Sequence, residues 1–153
     1  MSKKSAGIIL YRKKNNILEI MLVHPGGPFW AKKDAGAWSI PKGEFDDGEE
    51  ALIAAKREFE EELGKKTSAK KFTRLTPVKS KGNKIVYAFA AAEDFDTANI
   101  QSNFCSIDWP PRSGKQIQIP EVDKAEWFDV ETAKEKIVGY QLPLIEELKN
   151  LVS

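Results

Sequence analysis

The chain has 153 residues, 41% of them hydrophobic and 31% charged, with 24 Lys and Arg against 23 Asp and Glu and a formal net charge of +1. This is an ordinary soluble globular composition at the size of one domain, expected to span 1–153. Balanced charge gives no bulk attraction to nucleic acid or membrane, and a single cysteine, Cys105, excludes a disulfide framework and a cysteine-based zinc site.

In chain order, the apolar run at 6–10 is too short for a signal segment and ends in Tyr-Arg-Lys-Lys. No run reaches membrane-spanning length, so a cytoplasmic protein is expected. Residues 5–12 and 18–24 read as a strand hairpin around a polar turn at 13–16. The stretch PGGPFWAKKDAGAW (25–38) reads as a long loop, and its two Trp residues argue against simple disorder. Residues 38–41 (WSIP) are extended, and a helix is expected over 47–63. Asp47 and Glu50 have capping-box spacing, Leu52, Ala55, Phe59 and Leu63 form an apolar stripe, and Gly64 is a C-cap. Further strands are expected at 72–78, 84–91, 102–109, 116–119 and 125–129, the third and fourth forming a hairpin. Closing helices are expected at 130–138 and 142–151. This order predicts an α/β domain, with helices covering a mixed sheet.

The helix end is crowded with Glu58, Glu60, Glu61 and Glu62. At about 100° per residue, Glu58, Glu61 and Glu62 share one face beside the stripe, and Glu60 points away. Converging carboxylates repel one another, and the negative end of the helix dipole disfavours them. A divalent cation removes both costs, and hard oxygen donors suit Mg²⁺. The competing reading is a solvated acidic face.

The context of the cluster distinguishes the two. Gly43, Glu49, Arg57, Glu58, Glu61, Glu62 and Gly64 stand in the register Gly-x5-Glu-x7-Arg-Glu-apolar-x-Glu-Glu-x-Gly. A chance match at one start point is on the order of 10⁻⁸. The stretch resembles the signature of the Nudix hydrolases, departing only at Lys65, where an apolar residue is usual. The resemblance implies an α/β/α sandwich with a mixed sheet and a central catalytic helix at about 47–63. It implies hydrolysis of a nucleoside diphosphate linked to another group, with Mg²⁺ or Mn²⁺. Glu58, Glu61 and Glu62 would be the metal ligands, Glu49 would support them, and Arg57 would orient them. Gly43 would let the loop backbone approach, with the Lys42 carbonyl a further ligand. The general base would be Glu61 or Glu62, or else Glu121 on a distant loop, with Glu126 the weaker alternative.

Residues 38–43 (WSIPKG) resemble the approach to the box in dinucleoside polyphosphate, diphosphoinositol polyphosphate and some oxidised-nucleotide hydrolases. Trp38, Lys42 and Gly43 are therefore expected to meet substrate, and Lys33 of the preceding loop is expected to help. Lys32 and Lys115 are weaker phosphate candidates, and Phe29, Trp30 and Trp109 are candidates to stack on a base. His24 reads as structural. The favoured substrate is a diadenosine tetraphosphate-like dinucleoside polyphosphate, ahead of a nucleoside triphosphate, with a non-catalytic nucleotide-binding module as the reading from another class. The expected partner is a small nucleotide, with no nucleic acid or membrane, for a monomer or homodimer.

Overall fold

The computed structural model describes residues 3–152. Two long strands, β1 (Lys3–Lys14) and β2 (Ile17–Pro25), form an antiparallel hairpin through Asn15 and Asn16, both with positive φ. Asparagine tolerates this left-handed conformation better than most residues, which suits the pair to a tight turn. β6 (Lys84–Ala92) lies parallel to β1 on its other side, and β9 (Val122–Asp129) pairs antiparallel with β2. Short β4 (Thr73–Arg74) and β5 (Val78–Lys79) pair with β6, and β3 (Lys42–Glu44) pairs with β1. The main path runs β4-β6-β1-β2-β9. A separate hairpin joins β7 (Phe104–Asp108) to β8 (Gln116–Pro120), as expected.

The apolar runs of β1 and β2 are buried on both faces, which requires a layer on each side. Ile9, Ile20 and Leu22 face a core completed by α2 (Val130–Lys136) and α3 (Leu142–Val152). The alternating Ile8, Leu10, Met21 and Val23 face a second core built on α1 (Ala51–Leu63), where Ala54, Ala55, Phe59 and Leu63 are buried. The expected α/β/α sandwich is present. No helix among the described residues is long and apolar enough to cross a membrane.

Two expectations are corrected. The central helix begins at Ala51, with Glu50 as an N-cap that makes no side-chain cap bond, so no capping box forms. Asp47 instead pairs with Lys4. The strand expected at 72–78 breaks into β4 and β5 at Leu75-Thr76-Pro77, since proline has no N–H to give a sheet. Gly64 caps α1 as expected, with φ 78° and its N–H on the Glu60 carbonyl at 2.7 Å.

Candidate active site

The site is a meeting of β3 and the last two turns of α1, and two glycines permit it. β3 lies antiparallel on β1, with Gly43 opposite Ala6 and Gly7 opposite Lys42. A β-carbon on Gly7 would stand 2.6 Å from the Pro41 carbonyl oxygen. One on Gly43 would stand 1.9 Å from Glu58 Oε2. The carboxylate of α1 therefore fills the space that any other residue at 43 would occupy.

Arg57 binds the acids together. Its Nε and Nη2 donate to the two oxygens of Glu49 at 3.0 and 2.9 Å, a bidentate fork. Its Nη1 donates to Glu58 Oε1 at 2.8 Å and to Glu61 Oε1 at 3.3 Å. Glu49 hydrogen bonding, opposed by burial and supported by Glu58, raises the Arg57 pKa further, while Arg57 holds the Glu49 carboxyl below its ordinary value. Arg57 thus touches three of the acids, and Glu49 joins the cluster through the guanidinium.

Glu58 and Glu62 are buried, at 8% and 9% exposure, whereas Glu60 faces solvent as expected. Burial pushes the Glu62 carboxyl up to about 8, against the Lys42 charge and the Lys42 N–H that donates to Oε1 at 3.1 Å; Glu121 and Glu58 push it further up. Glu58 is raised by burial despite Arg57, with repulsion from Glu61 and Glu121 adding to it. Thus Glu121, from the β8–β9 junction, acts electrostatically on both helix acids. The Glu121 N–H donates to the Asn103 carbonyl at 3.0 Å, and Asn103 Nδ2 donates to Glu121 Oε1 at 3.4 Å. The Asn103 N–H donates in turn to the Glu61 carbonyl at 2.8 Å. Asn103 thereby ties the Glu121 loop to the end of α1. No local pattern marks this asparagine in the sequence. Glu126 is exposed on β9, opposite Leu22.

The acids fit a divalent cation in donor chemistry: hard oxygens, two of them buried where their own charge is disfavoured. Among the described residues, no three His, Cys, Asp or Glu side chains converge closely enough to hold a metal ion in this conformation. Arg57 is the counter-charge of Glu49, Glu58 and Glu61, and Lys42 that of Glu62.

A cavity of about 540 Å³ opens beside Glu62, Glu121 and Lys42. Phe29 and Trp30 line it, together with Ile107 and Ile119 of the β7–β8 hairpin. Lys33 stands next to this wall, its Nζ 4.2 Å from the centre of the Phe29 ring. Trp38 is not in the wall. It is 1% exposed, packed edge-on against His24 and Phe128, and donates its indole N–H to Asp34 at 2.8 Å. A large aromatic ring between sheet and loop gains more by burial than by facing substrate. Lys32, Lys115 and Trp109 also lie outside the cavity wall. His24 bridges Asp123, at 2.9 Å, and the Lys33 carbonyl, at 2.7 Å, which makes it a brace for the 25–38 loop.

The family model for the NUDIX domain matches residues 1–148. No curated protein sequence matches the chain. Among solved structures, an Ap4A hydrolase binary complex from C. elegans superposes with a TM-score of 0.66 at 23% identity, covering 98% of this chain and 97% of that one. The NUDIX domain of Shewanella oneidensis NrtR complexed with ADP ribose gives 0.67 at 16% identity, covering 100% and 90%. A mutT/nudix family protein from Listeria innocua gives 0.62 at 19% identity, covering 98% and 93%. At these identities the likeness is one of fold.

Proposed function

The chain belongs to the Nudix hydrolase family, whose members generally use divalent cations, and from that premise we propose a Mg²⁺- or Mn²⁺-dependent pyrophosphohydrolase acting on a dinucleoside polyphosphate of the diadenosine tetraphosphate type. The observation that carries this reading is the junction of a nucleoside-sized cavity with a buried acid cluster, sharing Glu62, Glu121 and Lys42. The cavity lies within the ~300–1,000 Å³ typical of small-molecule sites. The nucleotide-cleaving neighbour from C. elegans is in keeping with it. A nucleoside triphosphate would use the same site with one nucleoside fewer. A purely binding role is disfavoured because every acid of the signature is retained.

In this reading Glu58, Glu61 and Glu62 would hold the cation. A bound cation would lower the pKa of the attacking water and offset charge on the phosphates. Arg57 fixes the acids against one another, and the Lys42 N–H fixes Glu62. The Lys42 ammonium meets the phosphate chain at the cavity edge, with Gly43 keeping the loop close. Water attacks a phosphorus, the bridging P–O bond breaks, and the proton of the water passes to a carboxylate. Glu121 is the favoured acceptor, since it faces the acids from a separate loop and is not needed to hold the cation.

Hydrolysis of diadenosine tetraphosphate, nucleoside triphosphates, sugar nucleotides and inositol pyrophosphates, read by product mass, tests the substrate. Mg²⁺ dependence is expected throughout, and rates untouched by chelator would overturn the mechanism. Glu121→Gln is expected to lower kcat by about 10²-fold or more, in line with loss of a general base. A rate within a few-fold of wild type would remove Glu121 from that role.

A further inference from the structure

A polar network at the cavity wall is not needed for the hydrolytic step. Gln141, just before α3, is fully buried at 0% exposure. Its Oε1 accepts from the Ile40 N–H at 3.1 Å, and its Nε2 donates to Ser39 Oγ at 3.1 Å and to the Tyr140 hydroxyl oxygen at 3.0 Å. Turning the amide over would set its NH₂ against the Ile40 N–H, donor against donor, so this orientation is enforced. Ser39 gives its own proton to the Ile40 carbonyl at 2.7 Å. Both amide hydrogens and the serine hydrogen are therefore committed. Tyr140 receives a hydrogen bond from the amide, and among the described residues no acceptor takes the tyrosine proton.

Ser39, Tyr140 and Gln141 all line the cavity. Its other walls include the exposed aromatic pair Phe29 and Trp30, with ring centres 4.9 Å apart, and the aliphatic Ile107 and Ile119. Away from the Lys42 ammonium and the Glu62 and Glu121 carboxylates at the acid-cluster end, these apolar walls carry a neutral hydroxyl donor left uncommitted, which suits a flat heteroaromatic ring with acceptor nitrogens. Adenine fits, having three ring-nitrogen acceptors and a single amino group.

We propose that this cavity takes the adenine ring of the substrate, and that the Tyr140 hydroxyl, held as a donor by Gln141, selects it by donating to one ring nitrogen. The substrate class rests on the hydrolase reading above; the binding of the base is independent of the cation. Tyr140 is thus a specificity-determining residue, and Gln141 positions its hydroxyl.

Calorimetric titration of the cation-free protein with neutral ligands tests this directly. Adenosine is expected to bind at least about 10-fold more tightly than ribose, and Tyr140→Phe to weaken adenosine by about 10-fold, the worth of one well-placed hydrogen bond. One of 1-, 3- and 7-deazaadenosine should lose the same factor against wild type and nothing further against Tyr140→Phe. Gln141→Glu supplies a second acceptor, which draws the tyrosine proton inward, and should imitate Tyr140→Phe although the hydroxyl remains. Adenosine binding no tighter than ribose would overturn the proposal. So would an equal effect of Tyr140→Phe on adenosine and on all three deaza analogues, with the variant's Tm unchanged. Failure here with Mg²⁺-dependent hydrolysis intact removes only the base site. Adenosine binding without hydrolysis of any phosphoric anhydride removes only the hydrolytic reading.

Discussion

Glu62→Gln is expected to lower kcat by about 10²-fold or more while making the cation-free protein more stable at pH 8. The first effect follows from removing one of the carboxylates proposed to hold the cation. The second follows from burial. The folded-state pKa of Glu62 is raised from 4.5 to about 8, so across that interval the folded protein keeps a proton that the unfolded chain has released. Stability must then fall as pH rises from 4.5 to about 8, with the full cost present above the upper limit. Each pKa unit is worth about 1.4 kcal/mol, so the cost at pH 8 is on the order of a few kcal/mol. Glutamine keeps an oxygen for the Lys42 N–H and carries no charge. The variant's Tm should therefore exceed that of wild type by several degrees at pH 8, at ~2–4 °C per kcal/mol, and the gap should close toward pH 4.5. Saturating Mg²⁺ should narrow the gap by stabilising wild type alone. A cation-free Glu62→Gln protein less stable than wild type at pH 8 would contradict the electrostatic account of the cluster.

Gly43→Ala is expected to cost activity far more than stability. The added methyl would fall 1.9 Å from Glu58 Oε2 and 2.0 Å from its carboxyl carbon. Gly43 does not adopt a positive φ, so alanine introduces no backbone strain and space alone is at issue. The obstructing group is the end of a flexible side chain, which can swing aside, while β3 stays paired to β1. The fold should lose about 1 kcal/mol or less. The displaced carboxylate leaves the cluster and the Arg57 contact, so kcat should fall by about 10²-fold or more. Tm and kcat measured on one preparation distinguish this from ordinary destabilisation. In a double-mutant cycle with Glu58→Gln the two losses should not add, because both remove the same carboxylate. Full additivity would mean that Gly43 serves something other than Glu58.

Several features read differently in sequence and structure for identifiable reasons. Asp47 has capping-box spacing from Glu50, yet Lys4, 43 positions away, claims its carboxylate. Short-range spacing states an opportunity, and a competing partner across the fold decides whether it is taken. Trp38 stands four residues before Lys42 and looks placed for substrate, but the sheet needs a large ring there, and His24 and Phe128 enclose it. The neighbouring Ser39, one residue on along the extended segment, lines the cavity instead. In an extended segment neighbouring side chains face opposite sides, which puts Ala37 and Ser39 at the cavity and Trp38 between them in the core.

Covalent spacing is enough to place part of the site. The acids at 58, 61 and 62 share a face because a helix turns by a constant angle, and the apolar stripe beside them fixes which way that face points. The same holds for the sandwich, since strands apolar on both faces must be covered twice. Tertiary structure alone decided the rest of the site. Glu121 reaches the helix acids through Asn103, 18 residues earlier, and Gln141 reaches Ile40 across 101 residues. Pairings of that separation have no local period to betray them. They exist because closing the sheet and burying α3 leave backbone N–H groups and side-chain amides that must find partners away from water.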